Sequence, residues 1–327
     1  MKNLYLLTGI LSVSISTALA SGPVPPPAPS FKTSPVTALH PTTPGARPDN
    51  AADRANGVGT DAAVDTLSGA PTTAGVRSKA VVTPMAPAMI FSLSGEYNYI
   101  NTDDSRAFGS DFQAHTATIA GSVFMNGNTF LGLNYSYTNG TQAPTILGTS
   151  SHSDAHFISL VAARTFGQWL SVGVVGGYGH TDYTLNTAGV KTGANMETWS
   201  VSPFVTASYR SGRLTSSLTA AYAFETDHTS TVAGPNNDDT GKFSIALRES
   251  YAASERVKIQ VTAKFTEVLN GLGVIPGLPQ ARNWATFGTR ISYQPTKSVE
   301  LYGGYSFDAF NRFLETHTVT AGLKYSF

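Results

Sequence analysis

Acidic and histidine side chains in two polar stretches are the residues whose types could support hydrolysis. Asp103 and Asp104 form one pair, and Asp227 and His228 form another, each in a stretch that we predict to be a loop. A carboxylate or an imidazole can act as a general base and activate water for attack on a peptide bond. Because dipeptides are weak motifs, solvated loop acids are the simpler interpretation. A hydrolytic site is therefore a hypothesis that depends on whether the fold brings the two pairs together.

A third polar stretch, SHSDAHFIS, carries His152, Ser153, Asp154 and His156 within a few residues. These residue types occur in serine hydrolase triads and in metal sites. Triads are recognised by geometry and not by adjacency in sequence, and short polar motifs are weak signals. We therefore predict no catalytic residue, no metal site and no cofactor from this stretch.

The elements that would position these groups follow a period of two from residue 89 onward, which is typical of β-strands. In VKIQVTAKF, apolar residues alternate with Lys258, Gln260, Thr262 and Lys264. The stretch HFISLVAARTF alternates poorly. We predict 12 strands, over residues 89–101, 112–125, 129–138, 154–166, 169–181, 196–210, 213–224, 242–252, 256–266, 283–294, 298–307 and 315–327.

The connections between these strands alternate between short and long. Tight turns at NGN, FGQ, RSG, ASE and PTK separate longer polar connections over 102–111, 139–153, 182–195, 225–241, 267–282 and 308–314. Membrane barrels have short turns on the periplasmic side and long loops on the outside. No later segment supplies the ~20 apolar residues of a spanning helix. The pattern predicts an all-β fold, a 12-stranded antiparallel transmembrane β-barrel.

The upstream part of the chain has a different character. Residues 1–20 combine Lys2, an apolar stretch and the small-residue sequence ALA, which predicts a cleaved secretory signal peptide. Residues 21–88 hold 12 of the 18 prolines and one aromatic residue. Such a composition cannot bury enough apolar area to fold, so we predict a disordered Pro/Ala/Thr-rich tether. The barrel would then occupy residues 89–327.

The overall composition excludes several classes of protein. The chain has no cysteine, which excludes disulfides and thiolate chemistry. Its formal net charge is zero at pH 7, and no strongly basic stretch indicates a nucleic-acid partner.

Charged side chains on the polar faces of the predicted strands would point into the lumen. These residues are Glu96, Lys258, Lys264, Arg290, Glu300 and Lys324. Arg290 and Glu300 lie on adjacent predicted strands, so a direct ion pair is one expectation. The charges either stiffen the barrel or form a selectivity ring, because a lumen of this size lies between filled small barrels and open porins.

The last residues, TAGLKYSF, resemble the C-terminal assembly signal of bacterial outer-membrane β-barrels. The residues that match it are Thr320, Gly322, Tyr325 and Phe327. A glycine on the lumen face and aromatic residues on the lipid face suit a last strand that must be captured and paired with the first.

Residues 89–327 also resemble the autotransporter β-domain family, through the strand count, LGLNYSY, WLSVGVVGGYGHTDYT and FGTRISYQPTKSVELYGGYSF. The resemblance implies a barrel in the outer membrane of a Gram-negative bacterium that anchors or translocates a short N-terminal segment. It also implies outer-membrane lipid, the barrel-assembly machinery and periplasmic chaperones as partners. A passive small-solute channel with a periplasmic tether and a rim-located hydrolase are the alternatives.

Overall fold

A computed structural model describes residues 89–104, 111–125, 128–142, 149–167, 169–187, 189–231, 234–270, 282–310 and 314–327. The predicted signal peptide and tether, over 1–20 and 21–88, lie outside these residues. No helix in the described ranges is long and apolar enough to cross a membrane.

Twelve antiparallel strands form the described part of the chain. They are β1 (Ile90–Asp104), β2 (Phe112–Met125), β3 (Thr129–Gln142), β4 (Thr149–Phe166), β5 (Leu170–Thr187), β6 (Val190–Ser211), β7 (Leu214–Thr231), β8 (Gly234–Ala252), β9 (Val257–Asn270), β10 (Asn283–Tyr293), β11 (Val299–Ala309) and β12 (Leu314–Ser326). Each strand pairs with its neighbour in sequence, and β1 pairs with β12 to close the sheet. The predicted 12-stranded antiparallel barrel is confirmed.

Successive side chains alternate between an outer face and a lumen face, as strand geometry requires. In β1, Leu93 and Tyr97 are exposed on the outer face, whereas Asn98 and Ile100 are buried on the lumen face. Strand β4 obeys the same rule although its sequence alternates poorly. Its lumen face carries Phe157 and other apolar residues, so apolar side chains occur on both of its faces and hide the period.

The outer face carries an apolar band between two rings of aromatic residues. Tyr209 and Trp199, which are 66% and 60% exposed, lie on the outer face of β6 and mark the two rings. They are ten residues apart, or about 33 Å along the strand. A strand tilt of about 40° converts this separation to roughly 25 Å of height, which matches the ~25 Å apolar band of membrane barrels.

The lumen face of strands β2–β6 contains a small apolar cluster. Its members are Phe124, Phe130, Val161, Ala163, Val175 and Phe204. Gly173 and Gly177 make room for aromatic rings here, because a Cβ at either position would overlap Phe204 or Phe157. Paired hydroxyl groups occupy other parts of this wall, as in Thr118 with Ser136, whose oxygens are 2.8 Å apart.

Two of the predicted long loops are strand extensions instead. Residues 182–195 and 225–241 belong largely to the β5–β6 and β7–β8 hairpins, whose pairing continues to Thr187 opposite Val190 and Thr231 opposite Gly234. The sequence between 182 and 195 shows no apolar alternation because both faces are polar. Threonine and tyrosine nevertheless favour strands, and Gly189 adopts the positive φ of +87° that its tight turn requires.

The assignment of the two faces predicts different costs for the same substitution. Leu160→Arg places a cation in the apolar band, on a side chain that is 65% exposed. We expect it to lower the free energy of unfolding by about 2–4 kcal/mol, measured by urea titration of the full chain in phosphatidylcholine vesicles. The control is Ser306→Arg, whose side chain faces the lumen and should be far better tolerated. Equal losses would contradict the assignment.

Candidate functional site

The seam between β1 and β12 closes the barrel and is pinned at its short-turn end by two aromatic residues. The backbone amide of Phe91 donates to the carbonyl of Phe327, and the amide of Phe327 donates to the carbonyl of Phe91, both at 3.0 Å. The two rings stack with centroids 6.0 Å apart. From there the pairing runs from Ser92 opposite Ser326 to Asp104 opposite Leu314. Phe327 thus contributes both backbone and ring contacts to the register of closure.

A tyrosine from β11 bridges this seam on the lumen side. Tyr302 lies opposite Gly322 on β12, and Gly322 lies opposite Glu96 on β1. The hydroxyl of Tyr302 donates a hydrogen bond of 3.0 Å to Oε2 of Glu96. A Cβ at position 322 would overlap the Tyr302 ring. The glycine therefore leaves the space through which one side chain links three consecutive strands.

Further polar contacts extend from Glu96 and Tyr302. The side-chain amide of Asn98 donates to Oε1 of Glu96 at 2.8 Å, and the hydroxyl of Thr320 donates to Oδ1 of Asn98 at 2.5 Å. The guanidinium carbon of Arg290 lies 3.6 Å from the centroid of the Tyr302 ring. Cation–π contacts of this kind contribute about 0.5–2 kcal/mol, more when water is excluded. We call these five residues, with Gly322, the seam network.

The register places the predicted site residues as follows. All six predicted lumen charges lie on the lumen faces of their strands. Glu300 is opposite Lys324 on β12, whereas Arg290 is opposite Gly304 on β11, so the cross-strand neighbour of Glu300 is a lysine. Of the predicted assembly residues, Thr320 and Gly322 face the lumen within the seam network, and Tyr325 and Phe327 face outward. The roles of these residues in selectivity or assembly remain predictions.

Positive charge in the lumen is confined to one side of the barrel. Among the described residues, the lumen-facing cations between the two aromatic rings are Lys242, Arg248, Lys258, Lys264, Arg290 and Lys324, all on β8–β12. In the described ranges of β2–β5, no lumen-facing side chain is charged. Lys242 forms a buried ion pair with Glu225 at 3.2 Å. We call the β8–β12 side the cationic wall.

The residues proposed for hydrolysis do not meet. Asp227 is buried on the lumen face of β7, where it accepts a 2.6 Å hydrogen bond from Thr198, while His228 points outward from the next position. Asp103 lies on the outer face of β1 opposite Glu315, and only the backbone of Asp104 is described. Since β1 and β7 lie on opposite sides of the twelve-stranded ring, the two pairs cannot act on one substrate. The expectation that they lie on loops is wrong for all four residues, because Asp103 and Asp104 end strand β1 and Asp227 and His228 belong to β7.

The stretch with His152 also lacks a catalytic arrangement. His152, Asp154 and His156 face outward, while Ser153 faces the lumen. Asp154 contacts Nε2 of His152 at 3.2 Å and accepts a 2.6 Å hydrogen bond from Tyr137, and this hydroxyl holds the pKa of Asp154 below its usual value. No group of three metal-ligating side chains converges anywhere in the described part of the chain.

Tyrosine–histidine contacts on the outer face are a feature that sequence reasoning missed. The hydroxyls of Tyr97, Tyr135 and Tyr305 lie 2.5, 2.8 and 2.6 Å from Nδ1 of a histidine on the neighbouring strand. These contacts belong to the ring of aromatic residues at the long-loop end of the barrel. The period of two would have placed each histidine on the outer face, but its tyrosine partner depends on the register between strands.

Comparisons with known proteins identify the fold. No protein-family model and no curated protein matches the sequence. The translocator domain of the autotransporter NalP from Neisseria meningitidis matches with a TM-score of 0.60 and 12% identity, over 72% of this chain and 88% of that one. The β-domain of the Bordetella autotransporter BrkA matches with a TM-score of 0.58 and 14% identity, over 72% and 98%. The chain therefore has the fold of autotransporter β-domains, as the sequence resemblance predicted.

The seam network makes Gly322 sensitive to the addition of a single methyl group, because that group would overlap the Tyr302 ring. Gly322→Ala should lower the free energy of unfolding by about 1–3 kcal/mol because the new Cβ displaces the Tyr302 ring. The matched control is Gly95→Ala on β1, where no atom lies within 4 Å of the added Cβ. Urea unfolding in vesicles and the rate of barrel folding are the measurements.

A second substitution separates this steric effect from a general effect of alanine on the strand. In a Tyr302→Ala background the ring is absent, so Gly322→Ala should cost little further stability. A full cost in that background would contradict the role assigned to the glycine.

Proposed function

We propose that the chain is an outer-membrane barrel of autotransporter type that anchors residues 21–88 and carries them to the cell surface. The observation that supports this most directly is the place where the tether joins the barrel. Residue 89 lies at the short-turn end, where Phe91 pairs with Phe327. Short turns belong to the periplasmic side of such barrels. A segment attached there reaches the outside by passing through the lumen.

The lumen wall suits a proline-rich segment. Proline has no amide N–H, so such a segment presents more carbonyl acceptors than donors. The lumen offers the missing donors through its hydroxyl groups and through the cationic wall. Thr138 and Thr219 are examples: each is partly exposed, and each hydroxyl oxygen lies 2.9 Å from that of a buried threonine, Thr116 or Thr206.

The proposed route begins with the signal peptide over residues 1–20. Periplasmic chaperones and the barrel-assembly machinery would then deliver the chain to the outer membrane of a Gram-negative bacterium. Tyr325 and Phe327 present aromatic side chains on the outer face of the closing strand, where an assembly signal must be accessible. Outer-membrane lipid would surround the apolar band.

The cationic wall also supports a second function, a passive channel for small solutes. The six lumen-facing cations outnumber the described lumen-facing acids by one, and this small positive excess would weakly favour anions over cations in an open lumen. These acids are Glu96, Glu225, Asp227, Glu300 and Asp308. The reversal potential of the full chain in a planar bilayer under a potassium chloride gradient tests this. Anion preference that Lys258→Glu reverses would support the channel, and absence of ion conduction would count against it.

The location of the tether separates the two functions. An epitope inserted after Thr60 should bind antibody on intact cells if the tether reaches the surface. A second epitope at Thr296, in the short turn between β10 and β11, is the periplasmic control and should bind only after permeabilisation. An epitope in the connection 143–148 is the control for surface exposure.

Labelling at Thr60 only in permeabilised cells, with both controls behaving as stated, would contradict the proposed function. The tether would then lie in the periplasm, and the channel would become the better account of the lumen. Labelling of intact cells at Thr60 would exclude a periplasmic tether.

A further inference from the structure

The two ends of the barrel carry opposite charge. The short-turn end carries five basic side chains and two acidic ones, which gives a net charge of +3. They are Arg164, Arg210, Arg213, Arg256 and Lys297, and Glu249 and Glu255. At the long-loop end the outward or exposed charges of the described residues sum to −6, with histidines neutral. They are Asp103, Asp111, Asp154, Asp182, Glu197, Asp239, Glu267 and Glu315 against Lys191 and Arg282.

The basic residues lie just beyond the lower aromatic ring, and we call them the basic rim. Exposed aromatic residues of that ring are Phe166, Tyr209, Tyr251, Tyr293 and Phe327. Arg164 lies 5.8 Å from the centroid of the Phe166 ring, and both side chains are exposed on the outer face of β4. The rim is therefore continuous with the surface that contacts lipid tails.

The side chains of the basic rim are accessible. All five are exposed. Nη1 of Arg213 donates to the carbonyl of Ala253 at 3.4 Å, which links two neighbouring turns and uses one of the donors of its guanidinium. The remaining donors can meet an anion that approaches from outside the barrel.

We propose that the basic rim binds the phosphate headgroups of anionic phospholipids in the leaflet at the short-turn end. Arginine pairs with phosphate through parallel hydrogen bonds, and basic residues beside a membrane are drawn to anionic lipid. The cations are spread from β4 to the turn between β10 and β11, around about half of the circumference. A leaflet contacts the barrel along such an arc, whereas a protein partner covers one compact patch.

The proposal concerns the barrel in its membrane and does not depend on where the tether lies. Its failure would leave the proposed function standing, and a periplasmic tether would leave the basic rim unaffected. The opposite end supplies an internal comparison, because its acidic outer surface should repel the same lipids.

Tryptophan quenching by brominated lipid can report the lipid composition at each end. The full chain would be refolded in equimolar phosphatidylcholine and phosphatidylglycerol vesicles, with the bromine on either lipid. Tyr209→Trp, combined with Trp169→Phe, Trp199→Phe and Trp284→Phe, leaves one tryptophan on the outer face beside the basic rim. Trp169→Phe with Trp284→Phe leaves Trp199 at the long-loop end. The ratio of quenching constants gives the local preference for anionic lipid.

At position 209 we expect phosphatidylglycerol to be preferred by about fivefold, which corresponds to the attraction of one basic residue to an anionic leaflet. The preference should fall toward one in 0.5 M salt, because exposed charges are screened. At Trp199 we expect phosphatidylglycerol to be depleted, with a ratio below one. Combined substitution of Arg164, Arg213 and Arg256 by glutamine should abolish the preference at position 209, while Lys191→Gln is the control that leaves it unchanged.

Three results would overturn the proposal. The first is a ratio of one at position 209 with all the basic rim residues unchanged, a measurement that needs no rim variant to fold. The second is a preference that survives the triple substitution. The third is a preference lost on adding inorganic phosphate at constant ionic strength, which would identify a site for a free anion in place of a lipid surface.

Discussion

The pairing of β1 with β12 is the constraint on which the rest of the structure depends. A backbone amide or carbonyl left unpaired in hydrocarbon costs several kcal/mol, so a sheet can span a membrane only when it has no free edge. The seam network and the contact between Phe91 and Phe327 both act at this joint. The last strand is thereby held in one register against the first.

Closure of the barrel creates an outer surface and a lumen surface. The residue composition of the outer surface varies little from strand to strand, whereas that of the lumen surface varies strongly around the ring. The outer band is apolar on every strand because every strand meets the same solvent. The lumen carries its cations on β8–β12 and its apolar cluster on β2–β6. The seam network lies at the end of the cationic wall, where Arg290 stacks on Tyr302. One polar system therefore both closes the barrel and lines the path that a threaded segment would follow.

Strand number and the direction of most side chains were predictable because a period of two is visible wherever one face is apolar. That signal is absent from 182–195, where both faces are polar. The same lack of an apolar face after residue 225 led to the incorrect interpretation of Asp227 and His228 as loop residues. Gly322 was identified from a terminal motif. Its partner Tyr302 could not be, because the pairing of β11 with β12 depends on a register that the sequence does not display.

The register of closure can be measured directly because the chain contains no cysteine. Ser92 and Ser326 lie opposite each other, with hydroxyl oxygens 3.2 Å apart. Cysteines at these two positions should form a disulfide in the membrane-inserted protein. Cysteines at Asn98 and Ser326, displaced by about 20 Å along β1, should not. Failure of the first pair to cross-link, or equal cross-linking of both, would contradict a barrel closed in this register.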